Sequence, residues 1–566
     1  MTNKEIARPL KETASLIELT GGNSFRARAL NNAARIIERL ETPVPELIIS
    51  GELTNIKGIG AGLVAQIGEI LAYGSFEVRD DILGALPPGL LDVLSVKGLG
   101  AKKARVLWQS LGVQSLDDLE AAALSGRIAS LDGFAEKSQQ TILENIDNIR
   151  SYQGKRRMSD GWSDALKILD RILNHPDVLS AHFGGDIARL MEIVGEISIV
   201  VVCKEGTESK ICSDLEMGLT TLSEPNAVRA RTTLSDGLSV TLLFVLESQT
   251  GLALFTEVGP ESFVKSFDIT NCPIGLESES DVFAWRGVPF VSPELRDLPD
   301  AFSRAESLSQ LSLLEYRDLL GVLHNHSTYS DGAHSLKDMS LAVRRSGFEY
   351  FGICDHSQSL KIASGMSAQT ALKQKAEIDS LNLDFMSDGG SSFRVFFGVE
   401  SDILADGSLD YPDEILAQFD FIVASVHIGF KMTEQEATER VIKAVSNPYT
   451  TILGHPTGRL ILKREGYPIN HLAVLEACAH YGVAVELNAN PYRLDLDWRW
   501  IETAKNLGVK VSINPDAHSV DQLDLMRWGA LIARKGGLTA SECLNALTAK
   551  QFEALLTAKR KSSGLA

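Results

Sequence analysis

Seven times between residues 319 and 518, a short apolar run stops at a residue of a metal-ligating type. Leu319 to Leu323 runs into His324-Asn325-His326, with Asp331 following a polar turn. Tyr350 to Cys354 stops at Asp355-His356, Val395 to Val399 at Glu400, and Phe421 to Val426 at His427. Thr451 to Gly454 stops at His455, Val483 to Leu487 at Asn488, and Val509 to Ile513 leads to Asp516 and His518. Helical segments lie between the runs, such as 335–345 and 471–480. Short apolar strands alternating with helices predict parallel βαβ units. Seven units suggest a closed barrel, whose active site lies at the carboxyl ends of the strands. In an extended strand, residues two apart point the same way, so His324 and His326 form a pair of imidazoles.

The candidate ligands are His324, His326, Asp331, His356, Glu400, His427, His455, Asp516 and His518. Imidazole and carboxylate together suit zinc, manganese or iron. His334, His471 and His480 fall in helical or turn segments and read as ordinary residues. His324-Asn325-His326 with Ser330-Asp331-Gly332, Asp355-His356-Ser357, Gly398-Val399-Glu400, Ser425-Val426-His427, Gly454-His455-Pro456 and Asp516-Ala517-His518-Ser519 resemble the PHP (polymerase and histidinol phosphatase) domain. That resemblance implies a distorted (β/α)7 barrel and three divalent ions, with Mn²⁺ favoured and Zn²⁺ or Fe²⁺ as alternatives. It implies that His324, His326, Glu400 and Asp516 hold one ion. Glu400, bridging, would hold a second with His427 and His455, and Asp331, His356 and His518 a third. Clustered divalent ions suit hydrolysis of a phosphate ester. Arg459 and Arg493 are placed to pair with phosphate oxygens.

The front of the chain carries an internal repeat. Val96-Lys97-Gly98-Leu99-Gly100 repeats Ile56-Lys57-Gly58-Ile59-Gly60, and Leu131-Asp132-Gly133-Phe134-Ala135 is a weaker third copy. Each copy precedes a helical run. Gly58, Gly60, Gly98 and Gly100 let backbone N–H groups approach a phosphate at a helix N-terminus. Lys102 and Lys103 favour the same contact. The pattern resembles the helix-hairpin-helix module, which implies sequence-independent binding of DNA backbone.

Asn23-Ser24-Phe25-Arg26, Phe183-Gly184-Gly185-Asp186 and Val288 to Arg296 resemble family X DNA polymerases. The order of modules extends the resemblance to bacterial PolX along the whole chain. The departures are as informative. A polymerase palm holds two magnesium ions with three carboxylates. Here those positions fall at Glu196, Ser198 and Thr241, and the nucleotide-phosphate turn reads Thr256-Glu257-Val258-Gly259. The lysine that serves as lyase nucleophile in some relatives falls at Gln66, which cannot form a Schiff base. Polymerase and lyase activities are therefore expected to be lost or very weak.

The expected class is multidomain α+β and α/β. Residues 1–85 form a helical domain with a helix-hairpin-helix, 86–150 a second such domain, 151–250 a degenerate palm and 251–302 a thumb-like remnant. Residues 303–318 form a connector and 319–566 the PHP domain, with a polar, frayed tail from Lys559. The net charge of −19 argues against attraction of the whole molecule to nucleic acid, leaving local patches. No apolar signal region opens the chain, and six scattered cysteines lack C-x-x-C spacing. A cytoplasmic monomer acting on DNA follows, with no membrane partner. The leading expectation is a metal-dependent 3′-to-5′ exonuclease acting on single-stranded, gapped or 3′-ended DNA. The alternatives are an active polymerase with proofreading, a small-molecule phosphatase of the histidinol phosphate type, and a non-catalytic DNA-binding scaffold.

Overall fold

A computed structural model describes residues 1–566 except 2, 39, 41, 225–226, 236, 388–392, 563 and 566. The chain divides into two compact units, Met1–Gln153 and Gly154–Ala566. No helix among the described residues is long and apolar enough to cross a membrane.

The first unit is helical. In each repeat copy the first glycine takes a left-handed conformation, with φ of +101° at Gly58, +90° at Gly98 and +87° at Gly133. That requirement is why glycine is retained in all three. The same tight turn recurs, Ile59 N–H donating to the Ile56 carbonyl, Leu99 to Val96 and Phe134 to Leu131. The second position caps the following helix in extended backbone, at Gly60, Gly100 and Ala135, so the third copy tolerates a methyl group.

The second unit holds a five-stranded sheet and a seven-stranded parallel sheet. In the five-stranded sheet, Glu196–Cys203 and Ser239–Val245 run parallel side by side, with antiparallel strands outside them. The seven strands of the other sheet follow chain order: Gly321–Val322, Tyr350–Ile353, Arg394–Asp402, Phe421–Ser425, Ile452–Leu453, Ala484–Asn488 and Val511–Asn514. The first and last strands do not pair along a ladder; among the described residues an Asn325–Ala517 bridge and the Asn545 side chain, which donates to the Gly321 carbonyl and accepts from the Ile513 N–H, span the seam of the barrel. These strands are almost wholly buried and mainly apolar, as strands covered on both faces must be, with polar residues gathered towards their carboxyl ends. Several intervening helices start on side-chain caps. Ser335 accepts from the Asp338 N–H before Leu336–Arg345, and Thr433 pairs reciprocally with Glu436 before Glu434–Val445.

The amino ends of the barrel strands are closed by the C-terminal helix, Ala549–Ser562. Its Phe552 is fully buried, stacked on Tyr350 with ring centroids 5.3 Å apart and set edge-on to Phe396 at 5.0 Å. Inside the barrel, Phe421 leaves no room at Gly352 and Gly398, where an added Cβ would come within 2.6 and 2.5 Å of its ring. The tail from Lys559 is ordered at least through Ser562, contrary to expectation. The Lys559 ammonium donates to the Tyr481 and Gly482 carbonyls, and Arg560 to that of Phe419, which anchors the last turn. Residues 563 and 566 lie outside the described residues. The segment 303–318 packs Ala305, Leu308 and Leu314 into the core.

Phe552→Ala removes an aromatic plug with no neighbour able to fill the space. It is expected to cost about 3–5 kcal/mol and to lower the thermal unfolding temperature of the barrel. An unchanged unfolding temperature would show that the helix is not part of the barrel core.

Candidate metal centre

All nine candidate ligands stand at or just beyond the carboxyl ends of barrel strands, around one carboxylate. Glu400 lies in the third strand, 1% exposed. Its Oε1 is 3.2 Å from His324 Nε2, 3.2 Å from His427 Nε2 and 3.0 Å from His455 Nε2. Its Oε2 is 2.8 Å from His356 Nδ1 and 3.7 Å from His326 Nε2. Asp516 Oδ1 lies 3.1 Å from His326 Nε2 and 3.8 Å from His324 Nε2. Asp331 Oδ1 lies 3.5 Å from His356 Nε2 and 3.4 Å from His518 Nε2. Two atoms each bound at about 2.0–2.2 Å to one ion would be separated by similar distances.

The ligand atoms fall into four overlapping sets, all members of each within 4.8 Å of one another. They are His326, Asp331, His356 and His518; His324, His326 and Glu400; His324, His455 and Asp516; and His356, Glu400 and His427. The backbone is bent to aim them. His324, His455 and Asp516 have φ of +55°, +21° and +51°, a region that side chains other than glycine seldom occupy. Such strain costs roughly 1–3 kcal/mol per residue and persists where the surroundings enforce it.

His324 Nε2, His356 Nδ1 and Glu400 Oε2 are buried, crowd together and make no hydrogen bond. An unpaired buried lone pair is costly, and cations seated in the separate ligand sets that contain His324 and His356 would satisfy it. The donor set therefore fits divalent metal. The electrostatics agree. Burial opposes charge on Glu400, but His427, His324 and His356 hold it well below the usual carboxylate range. Asp516 is likewise held low by His324 and His326 against its own burial. Burial presses His326 down to about 3, whereas at His427 the Glu400 and Asp402 carboxylates override burial and raise it to about 10.

Residues 323–490 match the PHP domain model, 1–76 a helix-hairpin-helix domain and 90–147 a SAM-like helix-hairpin-helix tandem. The DNA polymerase/3′-5′ exonuclease PolX of Bacillus subtilis (strain 168) is 31% identical over 585 residues, covering 98% of this chain and 99% of that protein. The chain belongs to the PolX family. A probable phosphatase of Thermoanaerobacter sp. (strain X514) is 29% identical over 193 residues, 32% of this PolX-family chain and 76% of that protein.

Around the ligands stand three further carboxylates; the strand-end pattern includes Asp355, though not as a ligand, and passes over Glu486 and Asp402. Glu486, fully buried, accepts from His324 Nδ1 at 2.6 Å and from the His455 N–H at 2.6 Å. Asp402 accepts from His427 Nδ1 at 2.5 Å. Asp355 gathers the Ser327 N–H and the Ser327, Ser330 and Gln374 side chains, fixing the turn between His326 and Asp331. The one available signal was Glu486 itself, a charge inside an otherwise apolar strand.

The two arginines part company. Arg493 Nε lies 3.5 Å from Asp516 Oδ2, at the edge of the centre. Arg459 is engaged by a neighbouring loop. Its Nε donates to the Arg493 carbonyl at 2.9 Å, one terminal nitrogen to Asp497 at 2.5 Å and the other to the Leu494 carbonyl. Three of its five N–H donors are thus bound to the loop that carries Arg493. His471 stacks on Trp500, and His480 packs edge-on against Tyr481, away from the ligand sets.

In the five-stranded sheet, Ser198 sits beside Thr241 on the neighbouring strand. Thr241 donates to Glu196, and Ser198 donates to Glu257 at 3.1 Å. Glu257 is itself paired with Arg229 at 2.5 Å. In the first unit, Gly60 and Gly100 leave open space before helix N-termini that lack a side-chain cap. Lys102 is exposed there, and Lys103 lies 5.4 Å over the Phe134 ring.

Glu486→Gln keeps the shape of the strand but removes the charge behind His324. It is expected to weaken Mn²⁺ binding by roughly ten-fold to a hundred-fold, read by titration calorimetry. Unchanged affinity would remove Glu486 from any role in the centre.

Proposed function

We propose that this PolX-family chain is a metal-dependent 3′-to-5′ exonuclease that works at its PHP barrel on single-stranded, gapped or 3′-ended DNA. The observation that carries the reading is the convergence of six histidines and two further carboxylates, Asp331 and Asp516, on the region around Glu400. In this reading three ions are held, Mn²⁺ being favoured over Zn²⁺ or Fe²⁺. His324, His326, Glu400 and Asp516 hold the first, Glu400 with His427 and His455 the second, and Asp331, His356 and His518 the third. Bound divalent ions supply Lewis-acid polarisation of the phosphoryl group and a water of lowered pKa.

The chain's own residues do the rest. Arg493 offers its guanidinium to a phosphate oxygen beside Asp516. Glu486 and Asp402 fix the tautomer and orientation of His324 and His427 by accepting from Nδ1. The glycine turns at Gly58–Gly60 and Gly98–Gly100, open at Gly60, Gly98 and Gly100, hold DNA backbone at helix N-termini with Lys102 and Lys103. Six free cysteines accord with a reducing cytoplasm. The candidate ligand set is complete within one chain, so the proposed reaction needs no partner subunit, and we read the protein as a monomer.

The polymerase reading is disfavoured by a specific arrangement. Of the three palm positions only Glu196 is a carboxylate, and it is occupied by Thr241. The nearby Glu257 is already neutralised by Arg229. A small-molecule phosphatase would have no use for tandem DNA-binding turns.

On end-labelled single-stranded and gapped DNA with Mn²⁺, stepwise loss from the 3′ end is expected. Asp516→Asn with His518→Ala should lower the rate by at least ~100-fold, as loss of metal chemistry would, while leaving DNA binding intact. Retained hydrolysis would contradict the site, and loss of binding alone would favour a scaffold. Primer extension with Mg²⁺ or Mn²⁺ should yield no product, and processive synthesis would overturn the reading of Glu196, Ser198 and Thr241. Lys102→Ala with Lys103→Ala should weaken DNA binding and reduce its log–log salt slope by about 1–2, read by fluorescence anisotropy. An unchanged slope would place DNA elsewhere.

A further inference from the structure

Arg493 belongs to a loop whose two ends are gripped by a part of the chain outside the barrel. Within the second unit, Arg156–Arg157 pairs antiparallel with Ile193–Val194, Arg157 facing Ile193, and the Met158 N–H donates to the Glu192 carbonyl at 3.0 Å. This small ribbon leads directly into Gly195-Glu196, the start of the degenerate palm site. It presents two side chains to the barrel. The Arg157 guanidinium lies 3.7 Å over the ring of Tyr492, the residue immediately before Arg493. Glu192, 6% exposed, accepts from Trp498 Nε1 at 2.8 Å and from Arg499 at 2.7 Å.

The grip is passed inward through a continuous set of bonds. Arg499 also donates to Asp497 at 2.9 Å. Asp497 accepts from Arg459, which holds the Arg493 and Leu494 carbonyls. On the barrel side, Asp495 accepts from the Thr457 and Gly458 N–H groups at 3.0 and 2.9 Å, just beyond His455. Burying the Glu192 carboxylate is costly unless both partners stay in place.

We propose that Arg157 and Glu192 are positioning residues for phosphodiester hydrolysis, holding the Tyr492–Arg499 loop so that Arg493 meets the scissile phosphate beside Asp516. The proposal rests on the phosphoesterase reading of the barrel. It gives the palm-like region a task that needs no palm carboxylates. Misplacing a substrate-positioning group by about 1 Å can cost ~100-fold in rate.

The test uses the full-length chain with Mn²⁺ and bis(p-nitrophenyl) phosphate, a diester too small to reach the helix-hairpin-helix modules. Glu192→Gln and Arg157→Ala are each expected to lower kcat about ten-fold, with KM and bound manganese unchanged. Arg157→Lys should recover part of the loss, since it restores a cation over Tyr492. In an Arg493→Ala background Glu192→Gln should have no further effect, because both changes remove the same contact. A defect confined to DNA substrates, or losses that multiply in the double variant, would overturn the proposal. If the unaltered chain fails to cleave the diester, the phosphoesterase reading fails first and the proposal falls with it. An active parent with unaffected variants sinks the positioning role alone.

Discussion

The arrangement depends on a single buried carboxylate. Glu400 is enclosed in the third barrel strand with four imidazoles against it. A lone charge in that position would be expelled or neutralised by protonation. Here it is held ionised by its ring of histidines, and each histidine is positioned in turn by a carboxylate or a strand end behind it. Glu486 braces His324 and the backbone of His455, and Asp402 braces His427. The barrel explains how residues up to 194 positions apart, from His324 to His518, reach one centre. Parallel strands deliver all their carboxyl ends to the same face.

Much of this was legible before any coordinates. Strand-terminal histidines and acids betray a barrel face because the period of the pattern is the βαβ unit itself. The glycine repeat was equally plain, since a left-handed turn leaves glycine with no substitute at Gly58, Gly98 and Gly133. The second glycine of the motif has no such constraint, which is why Ala135 can stand in the weakest copy.

What stayed hidden was whatever depends on partners distant in sequence. Arg459 and Arg493 look alike as strings, two arginines near ligands. Only the fold separates them, one spent on carbonyls and Asp497, the other beside Asp516. Asp402 lies two residues beyond Glu400 but carries no spacing of its own, and Asp355, although it ends a strand run, gives no sign in sequence that it binds Ser327, Ser330 and Gln374. The left-handed corners at His324, His455 and Asp516 are also invisible in sequence, since none is a glycine. They are imposed by the surrounding bonds, as at functional sites elsewhere. The polar tail gave a false impression of fraying because the carbonyls that bind Lys559 and Arg560 belong to other segments.

The most direct measurement is a crystal structure of the Mn²⁺-loaded protein with anomalous difference maps recorded at the manganese edge. The account expects peaks on both sides of Glu400, one beside His324, His326 and Asp516 and one beside His427 and His455, with a third among Asp331, His356 and His518. Maps without any peak within bonding distance of Glu400 would contradict it.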